Sequence, residues 1–436
     1  MVRMTVIFKR KYLRYLVLKN TGCAYTIWTP NAMFHKMKMG FIFFFISAFI
    51  CAYAQRVQLP SATISDLSFK NMDFAMNLYR TISSFHDKNI FFSPLSISTS
   101  FAALLMASDG VTYKEILEGL NLHQLEQAGQ LDLIPGLFKL LNNNITQNGS
   151  LRLDQGMALF MHPKFRVEKT FQDQLKTFFD ADIKSVNFTN TRGSVKFINE
   201  YIKRKSHDKI SNMVSSLDPM TGLMLTNTIF FQGSWELPFN PNITVNAPFY
   251  IDNYSVVQVP MMFLEDKFYM MVDTFLGVKV LKLPYKEGVS MLIVLPNKNV
   301  DYTETDDEIT ADRIFRWTKM LRKVKLEVHL PKFKMEHSYS LHEILPDMGM
   351  ASVFDDSANL SKLSKDQGIK VSEVLHKAVI EVDETGTTAA AATIIGITPF
   401  SLPRTFTVNR PFFFFIYHEK TNCMLFMGRV IDPTKN

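Results

Sequence analysis

Cysteine is scarce in this 436-residue chain: Cys23, Cys51 and Cys423 are the whole complement. The first two fall in an N-terminal stretch that reads as removed, so the remainder holds one thiol and no internal disulfide. An unstapled extracellular chain must draw its stability from a large core. At 47% hydrophobic content there is ample material for one, which excludes intrinsic disorder. Linkers rich in proline or glycine are missing, and so are internal repeats. Enzyme signatures are missing as well. There is no His-Glu-x-x-His, no Gly-x-Ser-x-Gly and no Gly-x-x-x-x-Gly-Lys-Ser/Thr, and the ten histidines form no ligand-spaced cluster. A Ser, His and Asp triad scattered along the chain is the one catalytic arrangement that spacing alone leaves open.

Acidic residues are absent from residues 1–54, which carry eight Lys or Arg. Removing those eight charges from the net +7 leaves the rest of the chain at −1. The body therefore has no basic field to favour nucleic acid. Residues 35–39 form a basic n-region and residues 40–51 an apolar h-region. Ala52-Tyr-Ala54 fits a small-x-small cleavage site. The apolar run is shorter than the roughly 20 residues a membrane span needs. We expect residues 1–36 to be an upstream extension with translation starting at Met37 or Met39, residues 37–54 to be a signal peptide, and residues 55–436 to be one secreted domain without a stable membrane anchor. The sequons at Asn144, Asn148, Asn187, Asn242, Asn253 and Asn359 suit that route, with a subset expected to carry glycan. Cys423 lies in an apolar stretch and is expected to be half-buried and inert.

One segment departs from ordinary loop chemistry. Residues 387–398 contain no charge and no proline. In an extended chain one face would carry Thr387, Ala389, Ala391, Thr393, Ile395 and Ile397. That face could enter a sheet without stranding a charge. Gly386 supplies a pivot before it, and the strand-like residues 377–383 precede it. An alanine-rich, low-complexity linker is the plain alternative.

Elsewhere the apolar spacing predicts helices over residues 66–82, 95–108, 113–122, 167–179 and 193–205. Another is predicted over 125–142, kinked or broken at Pro135-Gly136. Strands are predicted at 89–93, 151–161, 224–239, 260–263, 278–285, 290–296, 326–333, 410–417 and 424–429. Helices dominate early and strands late, which predicts an α+β domain.

Glu384, Gly386, Thr387, Thr388, Ala389, Ala390, Ala391 and Ala392 resemble the hinge of an inhibitory serpin. The segments 89–98, 224–239, 358–361 and 428–433 also resemble that family, in order, between about Ser65 and Pro433. The resemblance implies three β-sheets, about eight or nine helices and an exposed reactive-centre loop over residues 384–403. It implies an inhibitor of serine proteases, not an enzyme, that works without a cofactor or metal as a monomer. Phe400, sixteen residues past Glu384, takes the place of the scissile-bond residue, and Ser401 follows it. Strand addition by a cleaved serpin loop is a known instance of β-augmentation. Ser93, Ser96, Asn227 and His376 match a polar cluster beneath the central sheet, the shutter. Lys332 and Glu384 match an ion pair near Trp235, the breach. Gln232 and Asn409 depart from the family's common lysine and aspartate.

Phe400 suits a chymotrypsin-like hydrophobic pocket and gains no salt bridge in a trypsin-like one. The subgroup most like residues 379–384, 397–403 and 410–417 implies control of blood coagulation, with factor Xa and factor XIa as targets and protein Z as a docking partner. Tyr254 and Asp307 match the partner-docking positions of that subgroup. Residues 125–142 carry Lys139 against Glu126 and Asp132, a poor site for heparin. A non-inhibitory member carrying a small hormone, or an inhibitor acting outside coagulation, remains the alternative.

Overall fold

A computed structural model describes residues 62–85, 87–127, 129–146, 152–385 and 404–435. From Ala62 onward the chain forms one compact unit. The expected leader, Asn148, the hinge residues Gly386–Ala392 and the Phe400-Ser401 bond lie outside the described residues.

Nine α-helices are present among the described residues. Helix α1 spans Ile64–Phe85 and opens with a reciprocal cap. The Thr63 N–H donates to Asp66 Oδ2 at 2.8 Å, and the Asp66 N–H donates to Thr63 Oγ1 at 3.3 Å. Leu67, Phe74, Ala75, Leu78 and Ile82 are buried along one face, as their spacing predicts. Helix α2 (Pro94–Ala107) begins with Pro94 behind the N-cap Ser93, and it is buried almost all round. Helices α3 (Gly110–Gly119), α4 (Leu133–Thr146), α5 (Lys169–Phe179) and α6 (Thr191–Lys205) follow. The pattern over 125–142 resolves differently from expectation. Only its second half is helical, and Pro135 sits in the first turn of α4, where its missing N–H is no loss. Helices α7 (Tyr302–Glu308), α8 (Ala311–Met320) and α9 (Leu341–Ile344) were not singled out from the sequence.

The strands form two hydrogen-bonded networks. The five-stranded sheet runs β10 (Phe333–Ser340), β11 (Val371–Val382), β4 (Leu223–Gln232), β2 (Arg152–Met161), β3 (Asp182–Ser185). The nine-stranded network runs β1 (Ile90–Phe92), β14 (Cys423–Val430), β13 (Phe412–His418), β8 (Val289–Pro296), β7 (Val278–Pro284), β6 (Val256–Asp273), β9 (Arg322–Pro331), β12 (Arg404–Thr407), with β5 (Val245–Tyr250) also on β6. β6 is 18 residues long and serves two sub-sheets: its final residues pair with β7, while its middle pairs with β9. The three expected sheets thus become one sheet of five strands and two sub-sheets sharing β6. The strands β3, β5, β10 and β12 were not separated in the sequence. β3 and β12 have four residues each, too few to show a period.

Every residue of β13 and β14 is buried. Phe91 stacks between Phe414 and Phe426, with centroids 5.9 and 5.3 Å away, and so locks β1 onto this layer. Cys423 is fully buried, not half-buried, because β14 is covered on both faces. Burial pushes its thiol up to about 12, so it stays a protonated, inert group.

Candidate functional site

In the five-stranded sheet, β10–β11 and β4–β2 pair antiparallel, while β11 and β4 lie parallel at the centre. Parallel ladders are slightly less stable per residue than antiparallel ones. The β11–β4 register runs from Val371↔Leu223 to Ile380↔Phe231, interrupted by a bulge near Glu373. This is the seam of the sheet. A strand following directly from β11 and folding back between β11 and β4 would be antiparallel to both. One parallel pair would become two antiparallel pairs.

Beneath the middle of the seam, all four predicted shutter residues come together. His376 and Asn227 are register partners across it. His376 is fully buried, and burial depresses its imidazole to about 3, so it is neutral. Its Nε2 accepts from the Ser93 N–H at 3.2 Å, which puts the ring proton on Nδ1, donating to Asn227 Oδ1 at 2.7 Å. The same Oδ1 accepts from Ser96 Oγ at 2.7 Å. Asn227 Nδ2 donates to the Ser96 carbonyl at 2.7 Å and to Ser100 Oγ at 2.6 Å. Asn227 therefore uses both amide protons and both lone pairs of its oxygen. Ser93 Oγ caps α2 by accepting from the Ser96 N–H at 3.3 Å, and it donates to the Leu425 carbonyl of β14 at 2.7 Å. The cluster thus pins both strands of the seam to one helix. Ser100 was missed in the sequence, although its spacing of four from Ser96 puts both hydroxyls on one helical face.

At the end of the seam lie Asp383, Glu384 and Thr385, where the expected reactive-centre loop would take root. Glu384 is 7% exposed, and its Oε2 accepts from Lys332 Nζ at 2.7 Å. Its Oε1 accepts from Thr244 Oγ1 at 2.8 Å. Burial pushes this carboxyl up, but the bonds from Lys332 and Thr244 outweigh it and hold the group below the usual range. The predicted breach pair is therefore formed, with Thr244 as a third member that composition could not reveal. Trp235 stacks on Tyr285 at 4.1 Å and donates Nε1–H to the Asp383 carbonyl at 2.9 Å. The Trp235 N–H reaches the Thr385 carbonyl at 3.3 Å, and the Phe239 N–H reaches that of Glu384 at 2.8 Å. The segment after β4 so clasps three successive residues of the loop root.

The two predicted docking residues sit on separate elements. Tyr254, 97% exposed, lies at the tip of the β5–β6 hairpin, where Asp252 Oδ1 accepts from the Tyr254 and Ser255 N–H groups at 2.7 Å each. Asp307 is exposed on α7, and no contact among the described residues joins it to Tyr254. Of the sequon asparagines, Asn187, Asn242, Asn253 and Asn359 are exposed, and Asn144 lies in the last turn of α4. No group of three His, Cys, Asp or Glu side chains that could hold a metal occurs among the described residues, and no described helix is long and apolar enough to cross a membrane.

A parallel seam thus has a satisfied polar cluster at its middle and a clasped segment, Asp383 to Thr385, at its end. The family profile described as Serpin (serine protease inhibitor) matches residues 69–433, and the chain belongs to that family. Among its relatives is the protein Z-dependent protease inhibitor of Mus musculus, 38% identical over 369 residues, or 84% of this chain and 82% of the relative. The Homo sapiens protein of the same name is 37% identical over 374 residues, or 86% and 84%. The crystal structure of the mouse inhibitor superposes with a TM-score of 0.80 at 37% identity, covering 85% of this chain and 98% of that one. The crystal structure of human thyroxine-binding globulin superposes with a TM-score of 0.80 at 31% identity, covering 85% and 100%.

Proposed function

We propose that this chain is a secreted suicide inhibitor of chymotrypsin-fold serine proteases, acting in coagulation on targets of the factor Xa and factor XIa type with protein Z as a docking partner. The observation that carries the inhibitory reading is the parallel seam, crossed by the His376–Asn227 bond and continued by a loop root that leads into an uncharged, small-residue hinge. The protease serine oxygen bonds to the Phe400 carbonyl carbon, and the Phe400–Ser401 C–N bond breaks. The new Ser401 amine leaves with the proton taken from that serine. Residues 387–398 then enter between β11 and β4, and the sheet gains a strand before water reaches the ester. The likeness to the two protein Z-dependent protease inhibitors supports the coagulation role.

The test is incubation with a chymotrypsin-like protease, then denaturing electrophoresis. A denaturant-stable complex is expected, whereas simple cleavage after Phe400 refutes trapping. Rates with factor Xa, with and without protein Z, test the finer assignment. A second reading, a carrier of a small hormone, is favoured by the likeness to thyroxine-binding globulin. Heat stability before and after loop cleavage separates the two, since strand insertion alone raises it greatly.

A further inference from the structure

The sequon Asn242-Ile243-Thr244 occupies a place unlike that of the other sequons. It lies in the short connection between β4 and β5, in and just after a turn over Pro241–Ile243 that is capped by the Asn240 side chain. Asn242 is exposed. On one side of it, three residues back, the Phe239 N–H holds the Glu384 carbonyl at 2.8 Å. On the other side, two residues on, Thr244 Oγ1 holds the Glu384 carboxylate at 2.8 Å. Asn242 therefore stands on the outside of the clasp that fixes the loop root. In the sequon at Asn187, by contrast, the threonine hydroxyl turns back on its own asparagine, with Thr189 Oγ1 2.6 Å from Asn187 Oδ1.

We propose that Asn242 carries an N-linked glycan that restrains release of the reactive-loop root. The inference rests on the inhibitory reading above. The Thr244 hydroxyl serves twice. While the chain is unfolded it is free to complete the glycosylation signal, and on folding it is committed to Glu384. A strand entering the seam must separate Asp383, Glu384 and Thr385 from Trp235, Phe239 and Thr244, so the clasp must swing aside. A branched oligosaccharide is bulky, polar and strongly hydrated, and it cannot be buried without losing its water. It admits only those positions of the clasp in which Asn242 faces solvent, the closed one among them, and removes inward-turning positions from the open set. The closed clasp gains population, and the strand enters more slowly.

The full chain, secreted from a glycosylating host, is compared with three variants. Asn242→Gln removes the glycan and keeps the clasp, Thr244→Ser keeps both, and Thr244→Ala removes both. Mass of the peptide containing Asn242, before and after an amide-cleaving glycosidase, reports occupancy. The rate at which heat stability rises after the loop is nicked by a protease that is not trapped reports insertion. We expect an occupied Asn242, insertion several-fold faster in Asn242→Gln and fastest in Thr244→Ala, and Thr244→Ser like the parent. An unmodified peptide in the parent overturns the inference, and so does an equal insertion rate in the parent and Asn242→Gln. If no form gains stability on nicking, the inhibitory reading falls as well. If all forms gain it at one rate, only the inference drawn from Asn242 falls.

Discussion

Acid should loosen this fold through His376 before it protonates the residue itself. In the unfolded chain an imidazole titrates near 6.5. In the fold, burial holds His376 near 3, and its Nε2 is spent accepting the Ser93 N–H. As pH falls through 6.5 the unfolded state takes up a proton that the folded state refuses, so stability is lost from there down to about pH 3. At pH 5 the gap is about 1.5 units, or about 2 kcal/mol, and near pH 3 the full gap amounts to about 5 kcal/mol. The assay is urea unfolding at pH 7.5, 6 and 5, followed by fluorescence of the buried Trp235 and Trp317. His376→Gln lacks the titrating group but shares every other one, so the difference between the two pH profiles isolates it. The parent should lose about 2 kcal/mol more than the variant between pH 7.5 and 5. Parallel profiles would refute the claim that a neutral, buried imidazole bridges the seam.

Removing the cation of the breach should leave Glu384 as a nearly buried, half-partnered carboxylate. Lys332→Met is expected to cost about 1.5–3 kcal/mol in urea unfolding, with Lys332→Met/Glu384→Gln costing less than the sum of the two single changes; an unchanged midpoint in Lys332→Met speaks against the pair. Arg429 is 1% exposed and donates to Asp306 Oδ2 at 2.7 Å, tying β14 to α7. Arg429→Met should cost about 3–5 kcal/mol by stranding Asp306, and Asp306→Leu on that background should recover much of it; additive losses would show that the two act independently. On the proposed trapping mechanism, Thr387→Arg would carry a charge into the sheet, so cleaved chain should replace most of the trapped complex on a denaturing gel. An unchanged ratio of complex to cleaved chain would mean that Thr387 does not insert.

Some features were legible one-dimensionally because their signals are local. The amphipathic face of α1, the Ser93-Pro94 helix start and the run of small uncharged residues after Gly386 each depend on near neighbours in the chain, where helical and strand periods operate. The polar cluster and the breach were legible only through family likeness. Asn227 and His376 are 149 residues apart, and no spacing rule links them. What the sequence by itself determined was the class of fold, an uncharged stretch over residues 387–398 and the residue types available to a satisfied polar network. The tertiary structure alone decided that β11 and β4 run parallel, that the His376 ring proton sits on Nδ1, that Thr244 joins Glu384, and that Cys423 is sealed. It also decided that Pro135 starts a helix and does not break one. The physical reason is that pairing direction, burial and hydrogen-bond partners are set by segments brought together from far along the chain. Propensity acts over a few residues and carries no record of what will lie across the sheet.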